Sequence, residues 1–238
     1  MAVVKSAHLL MVIILVAVHG PGCAQDDLGA IQRAADQGDA AAQSKLGGLY
    51  YLGQGVPQDY KKAAKWLHIA AAQGNVEAQG QLGMMYHEGQ GVPHDNAEAE
   101  KFLRKAAEQN DVTAQKNLAI MYTSGDGVPR NIQAAVKWFR RAADQGDAGA
   151  QRSLGNMYEN GRGVPIDHVQ AHMWYSLSAV QGDEDAIKRR DGIARRMTAA
   201  QIAQAQEIAR KWKPATNGDQ LHGQDKGAGA HRGVHDDR

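Results

Sequence analysis

Apolar positions along the chain recur in two alternating blocks. In the first, Ala42, Leu46 and Tyr50 stand four residues apart, one stripe of a 3.6-residue helix. In the second, Ala63, Trp66, Ala70 and Ala71 form a comparable face. Both blocks return three times. One column holds Leu46, Leu82, Leu118 and Leu154; another holds Tyr50, Tyr86, Tyr122 and Tyr158. Small residues repeat at Ala42, Ala78, Ala114 and Ala150, and at Ala63, Ala99, Ala135 and Ala171. A large aromatic column reads Trp66, Phe102, Trp138 and Trp174. The tripeptide Gly-Val-Pro begins at Gly55, Gly91, Gly127 and Gly163, each 36 residues from the last. A fixed period of this size signals a solenoid, whose units bury their apolar faces only by stacking.

Polar punctuation divides each copy into two helices. Asp39, Asn75, Asp111 and Asp147 stand where a first helix starts, and each side chain can accept an orphan backbone N–H. Gly53, Gly89, Gly125 and Gly161 end that helix, because glycine tolerates the left-handed conformation there. Proline in the following loop has no N–H and turns the residue before it away from helix. Asp59, Asp95, Asn131 and Asp167 cap the second helix, which ends near Gln73, Gln109, Gln145 and Gln181. The spacing predicts full repeats over residues 38–73, 74–109, 110–145 and 146–181. Residues 28–37 read as the second helix of a partial upstream repeat. Capping helices are expected over 182–213: Asp183 opens one whose stripe is broken by Lys188, Arg189 and Arg190, and Thr198 with Gln201 forms a capping box for the last. The solenoid is thus expected over residues 25–213.

The two ends differ in kind. Lys5, the unbroken apolar run Leu9–Val18 and the small residues Gly20, Gly22 and Ala24 make the three-part pattern of a signal peptide over residues 1–24. That run is too short to span a membrane, which takes about 20 apolar residues. The pattern predicts export, to the periplasm or beyond. Two processing routes fit. A cut after Ala24 removes Cys23, the chain's single cysteine; lipoprotein processing instead makes Cys23 a lipid-bearing first residue, although Gly20 and Pro21 depart from its usual signal. Either way the folded part has no disulfide. Residues 214–238 are rich in Gly, Asp, Gln and His, and read as a disordered tail.

Charge narrows the function. The 27 basic and 26 acidic side chains leave a formal net charge of +1, without the clustered basic face of a nucleic-acid binder. No Gly-x-Ser-x-Gly, no His-Glu-x-x-His and no insertion breaking the repeat offers a catalytic centre. His87, Glu88 and His94 straddle a helix end and a loop, and His222, His231 and His235 lie in the polar tail. The first set lacks metal-ligand spacing; the second, beside Asp236 and Asp237, reads as a solvated tail, with weak metal binding as the alternative. The reading is a protein that is not an enzyme and needs no cofactor or metal.

The columns resemble the Sel1-like repeat family, a relative of the tetratricopeptide repeats. The resemblance rests on Ala42-Gln43, Leu46-Gly47, Tyr50, Gly53, Gly55-Val56-Pro57, Ala63, Trp66 and Ala70-Ala71, repeated four times, with Ala119 and Ser178 as departures. It implies an all-α, right-handed solenoid of helix-turn-helix repeats, acting as an adaptor that binds a protein or peptide on its concave face. By register with that family the inward positions include Glu77, Met84, His87 and Glu88 in the second copy. They include Lys116, Ile120 and Thr123 in the third, and Arg152, Asn156 and Glu159 in the fourth. Two alternatives stay open at this point. One is a secreted hydrolase of the β-lactam-binding type, by analogy with cysteine-rich relatives whose cysteines this chain lacks; the other is a lipid-anchored structural envelope protein.

Overall fold

The computed structural model describes residues 21–215, and all regular structure among them is helical. The expected signal segment before Pro21 and the tail beyond Ala215 lie outside the described residues. The order is α1 (Pro21–Asp36), α2 (Ala40–Leu52), α3 (Tyr60–Ala72), α4 (Val76–Glu88), α5 (Asn96–Glu108), α6 (Val112–Ser124), α7 (Ile132–Asp144), α8 (Ala148–Asn160), α9 (His168–Ala179), α10 (Glu184–Ala194) and α11 (Ala199–Lys211). The expected upstream helix is present and starts earlier than its stripe suggested, at Pro21.

Two compact units divide the residues. One runs to Ala78 and includes Gln90–Val92; the other comprises Gln79–Gly89 and the chain from Pro93 onward. In the first, α1 packs on α2 and α2 on α3. In the second, α6 pairs with α7 and α8 with α9, and each hairpin is joined to the next by α5 on α6, α7 on α8 and α9 on α10. Helix α11 closes that unit by packing against α9.

Local chemistry sets the helix ends as the sequence predicts. Asp39, Asp111 and Asp147 accept the backbone N–H three residues on, at 2.6–2.7 Å, and Asn75 accepts that of Ala78 at 2.8 Å. Asp59, Asp95, Asn131 and Asp167 cap the second helices in the same way. Gly53, Gly125 and Gly161 hold φ between 65° and 77°, the left-handed region that a helix stop needs. The Thr198–Gln201 capping box forms at the start of α11.

Within a hairpin the helices approach closely because one residue has no side chain. A Cβ on Gly83 would lie 2.7 Å from Leu103 Cγ and 3.1 Å from the Ala99 carbonyl oxygen; one on Gly155 would lie 2.7 Å from the Tyr175 ring. Gly47 stands in the same relation to Leu67. Ala119 replaces glycine in the third copy, where α6 runs unbroken and Ala119 is fully buried. The residues facing this column, Leu67, Leu103, Phe139 and Tyr175, are all buried, with Leu46, Leu82, Leu118 and Leu154 beside them at 0% exposure. Each buried leucine contributes about 1.5–3 kcal/mol of transfer free energy.

The aromatic columns behave differently from the leucines. Trp174 and Tyr122 are buried, whereas Trp66, Phe102, Trp138, Tyr50, Tyr86 and Tyr158 are only half-buried. Their rings cover the core edge while cations lie over their outer faces. Arg140 stands over both Tyr158 and Trp174, Arg141 over Trp138 and Arg104 over Tyr122. The Tyr122 hydroxyl donates to Glu100 at 2.6 Å and also meets Arg104; burial, and then the Glu100 carboxylate, push its pKa up to about 12.

Buried glutamines join successive helices. Gln115 is fully buried on α6; its amide donates to the Ala107 carbonyl at the end of α5, and its oxygen accepts from Gln145 at the end of α7, at 2.8 Å. Gln151 on α8 repeats this between Ala143 and Gln181, and Gln43 between Ala35 and Gln73. α2, α6 and α8 therefore each tie down the ends of the second helices before and after them.

Two outcomes follow for stability. Gly155→Val should cost about 2 kcal/mol or more through overpacking against Tyr175, whereas Gly192→Ala on α10, where a Cβ meets nothing within 4 Å, should stabilise by up to about 1 kcal/mol; thermal melts followed by circular dichroism would order the three proteins. Gln115→Leu should cost about 1–3 kcal/mol, because both Ala107 and Gln145 lose their partner. Its urea midpoint should fall below that of Gln145→Ala, which breaks one link alone.

Candidate functional site

The ten residues expected to line a groove all fall on the first helices α4, α6 and α8, but they do different work. Glu77 is exposed in the first turn of α4, within the unit that ends at Ala78. Glu88, also exposed, is the last residue of the same helix. Met84 is half-buried and its sulfur accepts from Asn117 of α6 at 3.0 Å. His87 is half-buried, with Nδ1 2.8 Å from Asn96 Oδ1 at the start of α5, and its carbonyl oxygen lies 2.7 Å from His94 Nδ1.

Three more hold the repeats together. Lys116 of α6 reaches Asp147 at 2.8 Å, the residue that caps α8. Arg152 of α8 reaches Asp183, which caps α10, at 2.9 Å, and Asp185 at 3.2 Å. In each case one carboxylate oxygen caps a helix while the other takes the cation from the preceding first helix. Glu159 is pinned more firmly. It accepts from the buried Tyr175 hydroxyl at 2.7 Å, pairs with Arg196 and lies 3.8 Å from Arg189. Burial, and then the Glu159 carboxylate, hold the Tyr175 pKa far above its ordinary value of 10.

The rest converge. Thr123 and Asn156, with Arg152 as well, share an open cavity of about 250 Å³. Phe139 and Met157 form its apolar floor, and Ser153 stands beside Asn156 on α8. Its rim carries two further cations, Arg162 in the loop after α8 and Arg189 on α10. Ile120, one turn before Thr123 on α6, is 51% exposed. The Asn156 side chain makes no hydrogen bond among the described residues, while the Thr123 hydroxyl donates to the Ala119 carbonyl at 2.8 Å. Ser153, Arg162 and Arg189 were absent from the sequence-derived set. Their signals were nonetheless visible: Arg162 occupies the loop position held by Gln54, Gln90 and Asp126 in the other copies, and Arg189 is one of the cations that break the α10 stripe.

Helix hairpins with recurring caps, small residues and buried glutamines at each turn of the period define a helical-repeat solenoid. The Sel1 repeat model matches residues 40–75, 76–111, 112–147 and 148–183, two residues later in phase than the division drawn from the sequence. The chain belongs to the Sel1 repeat family. It is similar to the crystal structure of a Sel1 repeat protein from Oxalobacter formigenes, at 34% identity and a TM-score of 0.66, covering 71% of this chain and 49% of that one. It is also similar to c5321, a protective antigen of uropathogenic Escherichia coli with the same repeat fold. That match has 25% identity and a TM-score of 0.54, and covers 89% of this chain and 54% of that one. The chain thus spans about half the length of these two relatives. No curated protein matches it. Sel1 repeat folds generally mediate protein–protein interaction, and proteins built from them are typically scaffolds without catalytic activity. Among the described residues no helix is long and apolar enough to cross a membrane.

Glu159, although chosen as a groove residue, is expected to act as a structural tie. Glu159→Ala should destabilise by about 1.5–3 kcal/mol, since it strands the buried Tyr175 hydroxyl and two arginines. Comparing denaturant midpoints of Glu159→Ala and the double variant Glu159→Ala/Tyr175→Phe tests this: the double variant should recover part of the loss.

Proposed function

We propose that this chain is an exported scaffold that holds a protein or peptide on its first helices, with α6 and α8 at the centre of the contact. One observation carries the reading. The third and fourth repeats bring Thr123, Arg152 and Asn156 to one open cavity, next to an exposed Ile120 that the stack does not use. The side chains offered there mix apolar, hydroxyl, amide and cationic groups, which suits a peptide with varied chemistry. Recognition would come from a preformed surface on rigid helices, with little ordering cost on the scaffold side.

Export rests on the amino-terminal pattern: a charged start, the apolar run Leu9–Val18 and small residues before Gln25. The envelope is accordingly the compartment proposed. Cys23, preceded by Gly22, leaves a lipid-anchored form as the second reading. Mass measurement of the mature chain separates the two, a start at Gln25 giving a free protein and a diacylated Cys23 an anchored one.

Binding is tested by a photo-crosslinking amino acid placed at Asn156 or Thr123 in the native cell. Both positions should trap the same polypeptide, and Lys137, exposed on α7, should trap none of it. Equal labelling from Lys137 would remove the first helices from consideration as the binding surface.

A further inference from the structure

We infer that the cavity between α6, α8 and α10 is a carboxylate pocket, which takes a glutamate or aspartate side chain from an acidic peptide segment of the partner. The inference rests on the reading of the protein as a peptide-holding scaffold and names the chemistry of what is held.

Charge is the first argument. Three arginines line the cavity, Arg152, Arg162 and Arg189, and no carboxylate does. Their existing partners leave capacity. Arg152 turns Nε and Nη1 toward Asp183 and Asp185, so Nη2 remains available. The Arg162 side chain, exposed at the rim, has no ion pair or hydrogen bond among the described residues. Arg189 pairs with Glu159 at 3.8 Å and lies beside the Tyr175 hydroxyl, while that carboxylate is shared with Arg196 and Tyr175, so the guanidinium keeps donors to spare. The three rim arginines stand against three carboxylates, Asp183, Asp185 and Glu159, but Glu159 is shared with Arg196 and Arg162 has no ion pair among the described residues, so an incoming carboxylate meets one unmatched guanidinium.

Geometry and composition narrow the class. Guanidinium groups present planar forks that match a carboxylate through two parallel hydrogen bonds. The floor of Phe139 and Met157 suits the methylenes of an acidic side chain, and Ser153 and Asn156 can bond a peptide backbone passing over it. A volume of about 250 Å³ falls below the roughly 300–1,000 Å³ of pockets that enclose drug-sized ligands. It accommodates a side chain better than a cofactor. A nucleic acid or an anionic membrane would call for a broad basic face, whereas the cavity offers three arginines in a chain whose formal net charge is only +1.

The pocket is made once in the array. At the position of Arg152 the other copies have Ser44, Gly80 and Lys116; at that of Arg162 they have Gln54, Gln90 and Asp126. Arg189 comes from the capping helix, outside the four repeats.

The test uses a fluorescein-labelled peptide of alternating glutamate and glycine, blocked at both ends, and its counterpart with glutamine for glutamate. Anisotropy is read against the purified full chain. The glutamate peptide should bind saturably and at least tenfold more tightly than the glutamine peptide, and should weaken severalfold from 20 to 200 mM NaCl. Arg162→Gln should weaken it at least fivefold with an unchanged melting curve, since that side chain bears no load; Lys137→Gln should leave it unchanged. Equal binding of the two peptides, no effect of Arg162→Gln, or displacement by inorganic phosphate at concentrations as low as those of unlabelled peptide would each overturn the assignment. If crosslinking from Asn156 still captures one polypeptide after such a result, the scaffold reading stands and only the carboxylate pocket falls. If that capture fails as well, both fall.

Discussion

A buried amide on each first helix is the constraint on which the repeat depends. Helix C-termini leave carbonyls without intrahelical partners, and stacking repeats removes water from them. Gln115 and Gln151 reach back eight residues to the end of the preceding second helix, and each accepts from the glutamine that closes its own hairpin, 30 residues on. A buried amide with one half unpaired would cost about 1–3 kcal/mol, so both links must form together. That requirement fixes the rotation and the height of one hairpin against the next. It also explains why an Ala-Gln pair opens every first helix and a glutamine ends every second helix.

Small residues make this register attainable. The amide reaches both helix ends only if the helices of a hairpin lie close, and Gly47, Gly83 and Gly155 allow the approach. Where the small columns depart, the structure adapts. Ala119 is accommodated without a break in α6, and Ser178, in place of alanine, places its hydroxyl 2.8 Å from the Ala148 carbonyl and 3.0 Å from the Asp183 carboxylate. The last hairpin is also the most heavily buried, with Trp174 and Tyr175 both inside. There α10 and α11 cover a surface that a further repeat would otherwise take.

What the sequence could show follows from the range of each interaction. Caps, left-handed glycines and the capping box act over three or four residues, and each appears where its residue type predicts. Both glutamine columns are visible in the sequence, yet their pairing is not, because it joins side chains 30 positions apart that belong to separate helices. The half-burial of Trp66, Phe102 and Trp138 was likewise hidden. An aromatic repeated at helical spacing looks like core, and only the packing reveals that a face of Phe102 and of Trp138 remains for a cation. The candidate binding positions mix two duties that the sequence does not separate. Register with the family places Lys116 and Arg152 among the inward positions, yet each ties one first helix to the cap of the next. The pocket drew Arg162 and Arg189 from a loop and a capping helix, outside the columns used to choose candidates.

This division of labour bears on how such a scaffold acquires a partner. The stack depends on leucines, glycines and glutamines that recur in every copy, so its stability is a sum of similar units and interfaces. Side chains such as Ile120, Asn156 and Arg162 contribute little to that sum, since they are exposed or without partners within the fold. They are able to change with a partner at small cost to folding. Glu159 marks where the separation fails: it occupies a first-helix position, yet it is shared among Tyr175, Arg189 and Arg196. Its carboxylate fixes the wall of the cavity and, through Arg189, the field inside it. Specificity in the fourth repeat is therefore bound to the stability of the capping helix, because the carboxylates that hold Arg152 and Arg189, though not among the cavity's lining residues, belong to that helix, its cap and α8.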